Sequence, residues 1–585
     1  MSDTESGKDN TDAAIKEKHL ALLKALEHDD DATLCTLAGL KPVPRPSSDA
    51  LLSALAKFSP PQVLSAYANL LWKRTAGIER EQMALARACA KLVLIDEALG
   101  NYYRILKEKP DHLQAIREVC ALLVPRARFS EALRLVEAAR TVFPQEPSLL
   151  YFYAFIKQAS GEHEEALAAF DLVSEMPGPL AIKAGKQFIV SMAYLPDLTQ
   201  KDIQEASEAW ERKFARPTKR RPIQRHPGRI RLGYYSPDFR RHSIASFIPP
   251  LLEAHDRDKF ELFLYSDSGH KDELTEHYRT LAEHWRDIQP LDTKAAINAL
   301  KKDRLDILVD LAGHFGDSRP WLFAERPAQR QAHLVGYNGS TGLHSLDYRF
   351  TDAVCEPEGS ESESSEKLIR LSPGFLLYRP LVRDLDPGPP PHSLNGKITF
   401  GSFNNSSKIN DAVIDLWCRI LKSVPTASLL LKATQLKDPA LGEALAARFT
   451  ERGIESERID ILPAMEDDAA HLGMYRRVDI ALDSFPLNGT TTTCEALWMG
   501  VPVLTIMGKR HSERISASIL KQIGLDEAVA QNEDEYLNKA CEWAATPERL
   551  AQWRTSLREA VESRLGNAPA YARQLEAAYM AMLEQ

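Results

Sequence analysis

From Ile230 onward the chain alternates between short apolar runs and amphipathic stretches. Ile230 to Tyr235, Phe260 to Tyr265 and Asp306 to Leu311 have strand length, and Thr293 to Lys302 carries its apolar positions at helical spacing. A proline-rich break, Asp386 to Pro391, precedes a second set of the same kind. That set contains strand-like runs at Ile398 to Phe403, Ser428 to Lys432, Val478 to Leu482 and Val503 to Ile506, and a helix from Asp411 to Leu421. Strands alternating with helices predict a parallel sheet covered on both faces. Two such sets predict two doubly wound, Rossmann-like lobes. The cleft between the carboxyl ends of their sheets is where open α/β folds bind ligands.

The first part of the chain has a different period. The triplet Glu-Ala-Leu recurs every 34 residues, centred on Ala98, Ala132 and Ala166, and Pro110, Pro144 and Pro177 follow at similar offsets. Tyr102, Val136 and Phe170 stand four residues after the alanines, on the same helix face. The small residue lets two antiparallel helices approach, and the proline ends the second helix. This is the tetratricopeptide pattern, without its usual Trp and Tyr. The expected fold is therefore α followed by α/β. The expected divisions are a disordered tail (1–18), a helical region with tetratricopeptide-like repeats (19–215, clearest over 79–178) and a basic linker (216–228). A first lobe (229–385), a Pro-rich linker (386–397) and a second lobe (398–585) follow.

Composition narrows the function classes. The 585 residues carry a formal net charge of −9, which does not favour nonspecific nucleic-acid binding. No run of about 18 apolar residues appears, so no membrane span is expected, and the polar N-terminus lacks an apolar signal-peptide core. The seven cysteines are scattered, with no CxxC pair. Reduced thiols in a cytoplasm fit best. No Walker pattern, HExxH motif or carboxylate cluster with metal spacing stands out, and no metal is expected.

The most informative segment is DSFPLNGTTTTCEALWMG, Asp483 to Gly500. A buried strand enters a glycine turn at Gly489, four threonines follow (Thr490, Thr491, Thr492, Thr493), and a helical run begins at Cys494. A strand that feeds a helix through such a turn leaves backbone N–H groups at the positive end of the helix dipole, a site for a diphosphate. An ordinary Thr-capped turn is the plain alternative. Lys408, on the loop GSFNNSSKIN after another strand, reads as a group that offsets charge on a departing diphosphate or as a solvated lysine, and Asn404 and Asn405 can hold ligand oxygens. Glu495 reads as a contact for sugar hydroxyls or as a carboxylate that the helix dipole favours without any ligand. His471 precedes the Val478 strand and reads as a ligand contact or a surface residue. His242, in GYYSPDFRRHSIASF, reads as a base, an orienting group or a loop histidine.

Together GYYSPDFRRHS, DILVDLAGH, FAERPAQRQAHLVGYNGSTG, ITFGSFNNSSKIN and DSFPLNGTTTTCEALWMGVPVLT resemble the O-GlcNAc transferase family, including its Spindly-type branch of protein O-fucosyltransferases. The resemblance runs from about Arg229 to the C-terminus, with repeats ahead, as in that family. It implies a GT-B pair of lobes and a metal-independent, inverting glycosyltransferase without a cofactor. Such an enzyme passes a sugar from a nucleotide diphosphate to Ser or Thr of a protein. His242 is similar to the family's active-site histidine and Lys408 to its diphosphate lysine. His471 is similar to a donor-site histidine, Thr490 to Thr492 to the phosphate turn, and Glu495 to a sugar-contacting acid. The resemblance makes UDP-GlcNAc the default donor. Thr490 stands where O-GlcNAc transferases usually carry His, and TTTTCE is closer to the Spindly branch, for which the donor is GDP-fucose. GYNGSTG, Gly336 to Gly342, departs from the family's usual GYPGTSG. The implied partners are a nucleotide sugar and a protein acceptor held by the repeats. Rival readings are transfer of another activated sugar to a surface protein such as flagellin, and a non-catalytic tetratricopeptide adaptor.

Overall fold

The computed structural model describes residues 17–26, 28–41, 43, 45–57, 59–75, 77–219 and 227–584. Most of the expected tail (1–16) and the middle of the expected basic linker (220–226) lie outside the described residues. The chain divides into two compact units, Met1–Ile156 and Lys157–Gln585.

The first unit is helical. Its later helices run Glu79–Lys91, Ile95–Glu108, Leu113–Leu123 and Phe129–Val142. Ala98 and Ala132 are fully buried, as are Tyr102 and Val136 one turn on. Each of these second helices ends two residues before its proline, as the 34-residue period predicts. Helix Pro147–Ala159 runs across the unit boundary.

The second unit starts with helices His163–Glu175, Pro179–Met192 and Gln200–Phe214. Two sheets follow. The first contains β1 (Ile230–Ser236), β2 (Phe260–Ser266), β3 (His284–Asp287), β4 (Ile307–Asp310), β5 (Arg330–His333), β6 (Tyr348–Asp352) and β7 (Lys367–Leu371), in the order β3-β2-β1-β4-β5-β6-β7. The second contains β8 (Thr399–Ser402), β9 (Ser428–Ala433), β10 (Ile459–Pro463), β11 (Ile480–Leu482), β12 (Val503–Ile506) and β13 (Val529–Ala530), in the order β10-β9-β8-β11-β12-β13. All neighbouring strands are parallel. Strand order reverses between β1 and β4 and again between β8 and β11, so each lobe has a crevice at its reversal point.

Two helical segments are built into the first lobe. Ile189, Met192, Ile203 and Trp210 share one buried cluster with Tyr235, Phe263, Leu308 and Leu343. Glu211, 2% exposed, accepts the backbone N–H groups of His344 (3.0 Å) and Ser345 (3.1 Å). Lys186 donates to Gly316 O at 3.0 Å and Ser318 Oγ at 2.8 Å. From the other end of the chain, helix Ala568–Met582 packs on the same lobe. Tyr579 Oη meets Tyr234 Oη at 3.1 Å, and Glu576 pairs with His255 Nδ1 at 2.8 Å. No described helix is long and apolar enough to cross a membrane.

Candidate functional site

The crevice of the second lobe is shaped by a buried carboxylate. Asp483, just after β11 and 2% exposed, accepts the N–H groups of Ser484 (2.9 Å) and Gly489 (2.7 Å) on Oδ1 and the Thr505 hydroxyl (2.8 Å) on Oδ2. These bonds fold residues 483–489 into a tight turn. A Cβ on Gly489 would lie 2.6 Å from Thr493 Oγ1 and 2.8 Å from Thr492 Oγ1, so the position has no room for a side chain. The helix that follows is Thr491–Trp498. It starts three residues before the Cys494 expected from the apolar pattern, so Thr491 to Thr493 form its first turn and Glu495 stands in its second. Threonines are tolerated there because first-turn N–H groups have no partner four residues back. Thr490 makes no side-chain cap, which leaves those N–H groups open to a ligand.

The four threonines have different surroundings. Thr490 and Thr491 are partly exposed at the helix start. Thr492 Oγ1 donates to Asn404 Oδ1 at 2.9 Å. Thr493, 2% exposed, pairs with Ser516 Oγ at 2.9 Å and lines the crevice beside Thr492, Asn404 and Asp483. Asn404 in turn donates to Asp483 Oδ1 at 3.2 Å. Asn405 lies exposed at the rim, its Oδ1 accepting Ser407 N–H at 2.9 Å. Lys408 closes the turn Ser406–Lys408 ahead of helix Asp411–Ser423, and its Nζ donates to Asn488 O at 2.7 Å. The loops after β8 and β11 thus bring an ammonium beside the open helix start. Burial lowers the Lys408 pKa to about 8, and Asp483 opposes the shift.

A second group lies beside this turn. His471, on helix Asp468–Gly473, places Nε2 3.0 Å from Glu495 Oε2. Its Nδ1 is 2.9 Å from Lys432 Nζ. An ammonium only donates, so Nδ1 accepts and Nε2 carries the proton toward Glu495. Lys432, 1% exposed at the end of β9, holds its ammonium 4.2 Å from the Phe403 ring centroid. Burial lowers its pKa to about 8, against the pull of Glu495. Tyr475 Oη donates to Thr492 O at 3.0 Å, which ties this group to the start of helix Thr491–Trp498. The sequence reading missed Lys432. Its signal was a lysine closing the apolar run Ser428-Leu-Leu-Leu-Lys.

His242 lies on the loop after β1, with 42% of its side chain exposed. Its Nδ1 accepts Ile244 N–H at 3.4 Å and stands 3.8 Å from Asp238 Oδ2. Burial lowers its pKa and Asp238 opposes the shift. The neighbouring Arg241 forms ion pairs with Glu273 and with Asp468. Asp468 begins the helix that carries His471, so this bridge joins the two lobes beside His242. The remaining first-lobe motifs are buried and internally hydrogen-bonded. Asp310 accepts Gly313 N–H at 2.8 Å, and His314 meets Thr341 O at 2.7 Å. Gly336 has φ +84°, and a Cβ there would lie 2.0 Å from Leu311 O, so only glycine fits. Among the described residues no group of three or more His, Cys, Asp or Glu side chains is arranged to hold a metal ion.

Comparison with known proteins agrees with this fold. The sequence model "Glycosyl transferase family 41" matches residues 212–379 and 392–575. A tomato (Solanum lycopersicum) protein named "Probable UDP-N-acetylglucosamine--peptide N-acetylglucosaminyltransferase SPINDLY" is 35% identical over 415 residues, 69% of this chain and 44% of that protein. The Arabidopsis thaliana protein of the same name with the suffix SEC is 29% identical over 350 residues, 58% of this chain and 35% of that protein. The chain thus spans less than half the length of these curated relatives. The solved structure of a point mutant of the Thermobaculum terrenum O-GlcNAc transferase superimposes with a TM-score of 0.78 at 31% identity, covering 92% of this chain and 98% of that one.

Proposed function

The chain belongs to glycosyl transferase family 41, and on that premise we propose that it is a protein O-glycosyltransferase. In this reading it is inverting and metal-independent, and it transfers GlcNAc from UDP-GlcNAc to Ser or Thr of a protein acceptor. The observation that carries the reading is Lys408 Nζ, 2.7 Å from Asn488 O, beside the uncapped start of helix Thr491–Trp498. A cation and a helix N-terminus at a strand-order reversal suit a diphosphate. The acceptor hydroxyl attacks the anomeric carbon while the diphosphate leaves on the opposite face. Lys408, the N–H groups of the first turn and the Thr490 and Thr491 hydroxyls stabilise the leaving charge. Thr492 and Asn404 shape the turn through their mutual bond, and Thr493 supports it from below. His471 and Glu495, oriented by Lys432, face the sugar or nucleoside side, with Asn405 at the rim. His242 acts from the other lobe as base or orienting group.

GDP-fucose is the alternative donor. The observation favouring it is Thr490 in place of His, in a run TTTTCE that resembles the Spindly branch of protein O-fucosyltransferases. Calorimetry with UDP-, GDP- and CMP-sugars separates the donors, and binding of none of them would favour an adaptor. The repeats are proposed to hold the acceptor protein, in a cytoplasmic setting.

His242→Ala will lower the transfer rate by about 100-fold or more, the usual weight of a positioned acid–base group, with donor affinity changed little. Unchanged turnover would return His242 to an ordinary loop residue. Activity will persist in EDTA, because Lys408 and the helix start carry the leaving charge. Loss on chelation with recovery on magnesium or manganese would overturn the metal-free reading.

A further inference from the structure

The Lys408 turn is held by a residue outside its lobe. His163 is the first residue of helix His163–Glu175, which carries the last Glu-Ala-Leu triplet. It is 6% exposed, and its Nε2 lies 2.6 Å from the carbonyl oxygen of Ser407. A carbonyl only accepts, so Nε2 carries the proton. The ring stacks on Tyr194 with centroids 4.6 Å apart and planes at 21°. Burial lowers the His163 pKa, which keeps the ring neutral in this tautomer. Ser407 is 3% exposed, and its hydroxyl donates to Ala159 O at 3.4 Å. On the other side of Lys408, Arg448 donates to Ile409 O at 3.0 Å. The carbonyls before and after Lys408 are therefore both clamped, one by an arginine of the same lobe and one by the repeat region.

Clamping matters because lysine is long. Four side-chain torsions separate its Cα from the ammonium, and a leaving-group contact loses value if the backbone beneath it drifts. We propose that His163 is a positioning residue for Lys408. By donating to Ser407 O it fixes the turn Ser406–Lys408 against the start of helix Thr491–Trp498, so the last repeat helix takes part in stabilising the leaving diphosphate. This rests on the reading of Lys408 as the diphosphate lysine.

The test uses the full chain and calorimetric affinities for UDP and UMP and for GDP and GMP, with melting temperature as the folding control. His163→Phe keeps a ring against Tyr194 but loses the donor. It should reduce the preference for diphosphate over monophosphate about tenfold, the scale of one lost hydrogen bond. His163→Gln keeps an N–H and should recover most of that preference. A merely structural histidine would lower melting temperature, or both affinities equally, without changing their ratio. If His163→Phe does not fold, Tyr194→Leu decides, since loss of the stacked ring should lower the same ratio. An unchanged ratio in the folded variant overturns the proposal. Lys408→Ala separates the two claims. If it too leaves the ratio unchanged, the diphosphate reading fails. If it lowers the ratio while the His163 and Tyr194 variants do not, only the positioning role fails. Binding of neither diphosphate overturns both.

Discussion

Lys408→Ala will reduce transfer by about 100- to 1000-fold, the cost of removing one charge-stabilising donor, or about 2.7–4 kcal/mol of barrier. The fold should survive, because the ammonium donates to a single backbone oxygen, Asn488 O, and the residue is half-buried. Its lowered pKa adds a second expectation. Burial sets the group at about 8, so the cation is present below that pH and is lost as pH rises through it. Transfer measured as kcat/KM should therefore fall above about pH 8. It should also fall in acid as His242 gains a proton, and that limb lies below the ordinary histidine range because burial lowers the His242 pKa. Lys408→Arg should remove the alkaline fall, since arginine stays charged. Wild-type transfer by the alanine variant would remove the leaving-group role.

Cutting the chain at Pro217 will abolish soluble, folded enzyme instead of sparing donor binding. The 34-residue pattern suggests a repeat platform separable from the donor turns, all of which lie downstream. The structure places Ile189, Met192, Ile203 and Trp210 in the core of the first lobe, and Glu211 satisfies two of its buried N–H groups. Losing a large buried side chain costs about 2–5 kcal/mol, and several such losses exceed the roughly 5–15 kcal/mol that holds a domain together. A chain starting at Lys157, where the second compact unit starts, should keep its fold and its diphosphate affinity. Thermal melting and calorimetry on the two truncations distinguish the outcomes. Donor binding by the Pro217 chain equal to that of the full chain would show that the helices 157–214 are dispensable.

Local pattern was enough for much of this architecture. Val503–Ile506 and Thr293–Lys302 have the bounds their apolar spacing predicts, and β1, β2 and β9 differ by one residue at one end. These segments are buried by their own apolar side chains, so the period of the sequence and the period of the structure agree. The turns that carry the candidate residues Lys408 and Thr490 to Thr492 were legible because a small polar turn between a strand and a helix has a local signature. Strands β5 and β6 had no such signature. Arg330, His333 and Arg349 lie in them buried, and their polar atoms meet Met582 O from the far end of the chain, Asp310 on the neighbouring strand and Glu356 on the loop after β6.

The sequence by itself determined the class of the fold, the 34-residue helical repeat and the small polar turn between β11 and helix Thr491–Trp498, because each depends on residues within a few positions of one another. Tertiary structure alone decided which partners the threonines take. All four share one local pattern, but Asn404 and Ser516 engage Thr492 and Thr493 from separate elements. It also brought Lys432 onto His471, Arg241 onto Asp468 and His163 onto the carbonyl before Lys408. Those pairings join residues 39, 227 and 244 positions apart. Propensity and periodicity act over one or two turns, whereas hydrogen bonds and ion pairs at such separations exist only once the lobes and the last repeat helices have packed.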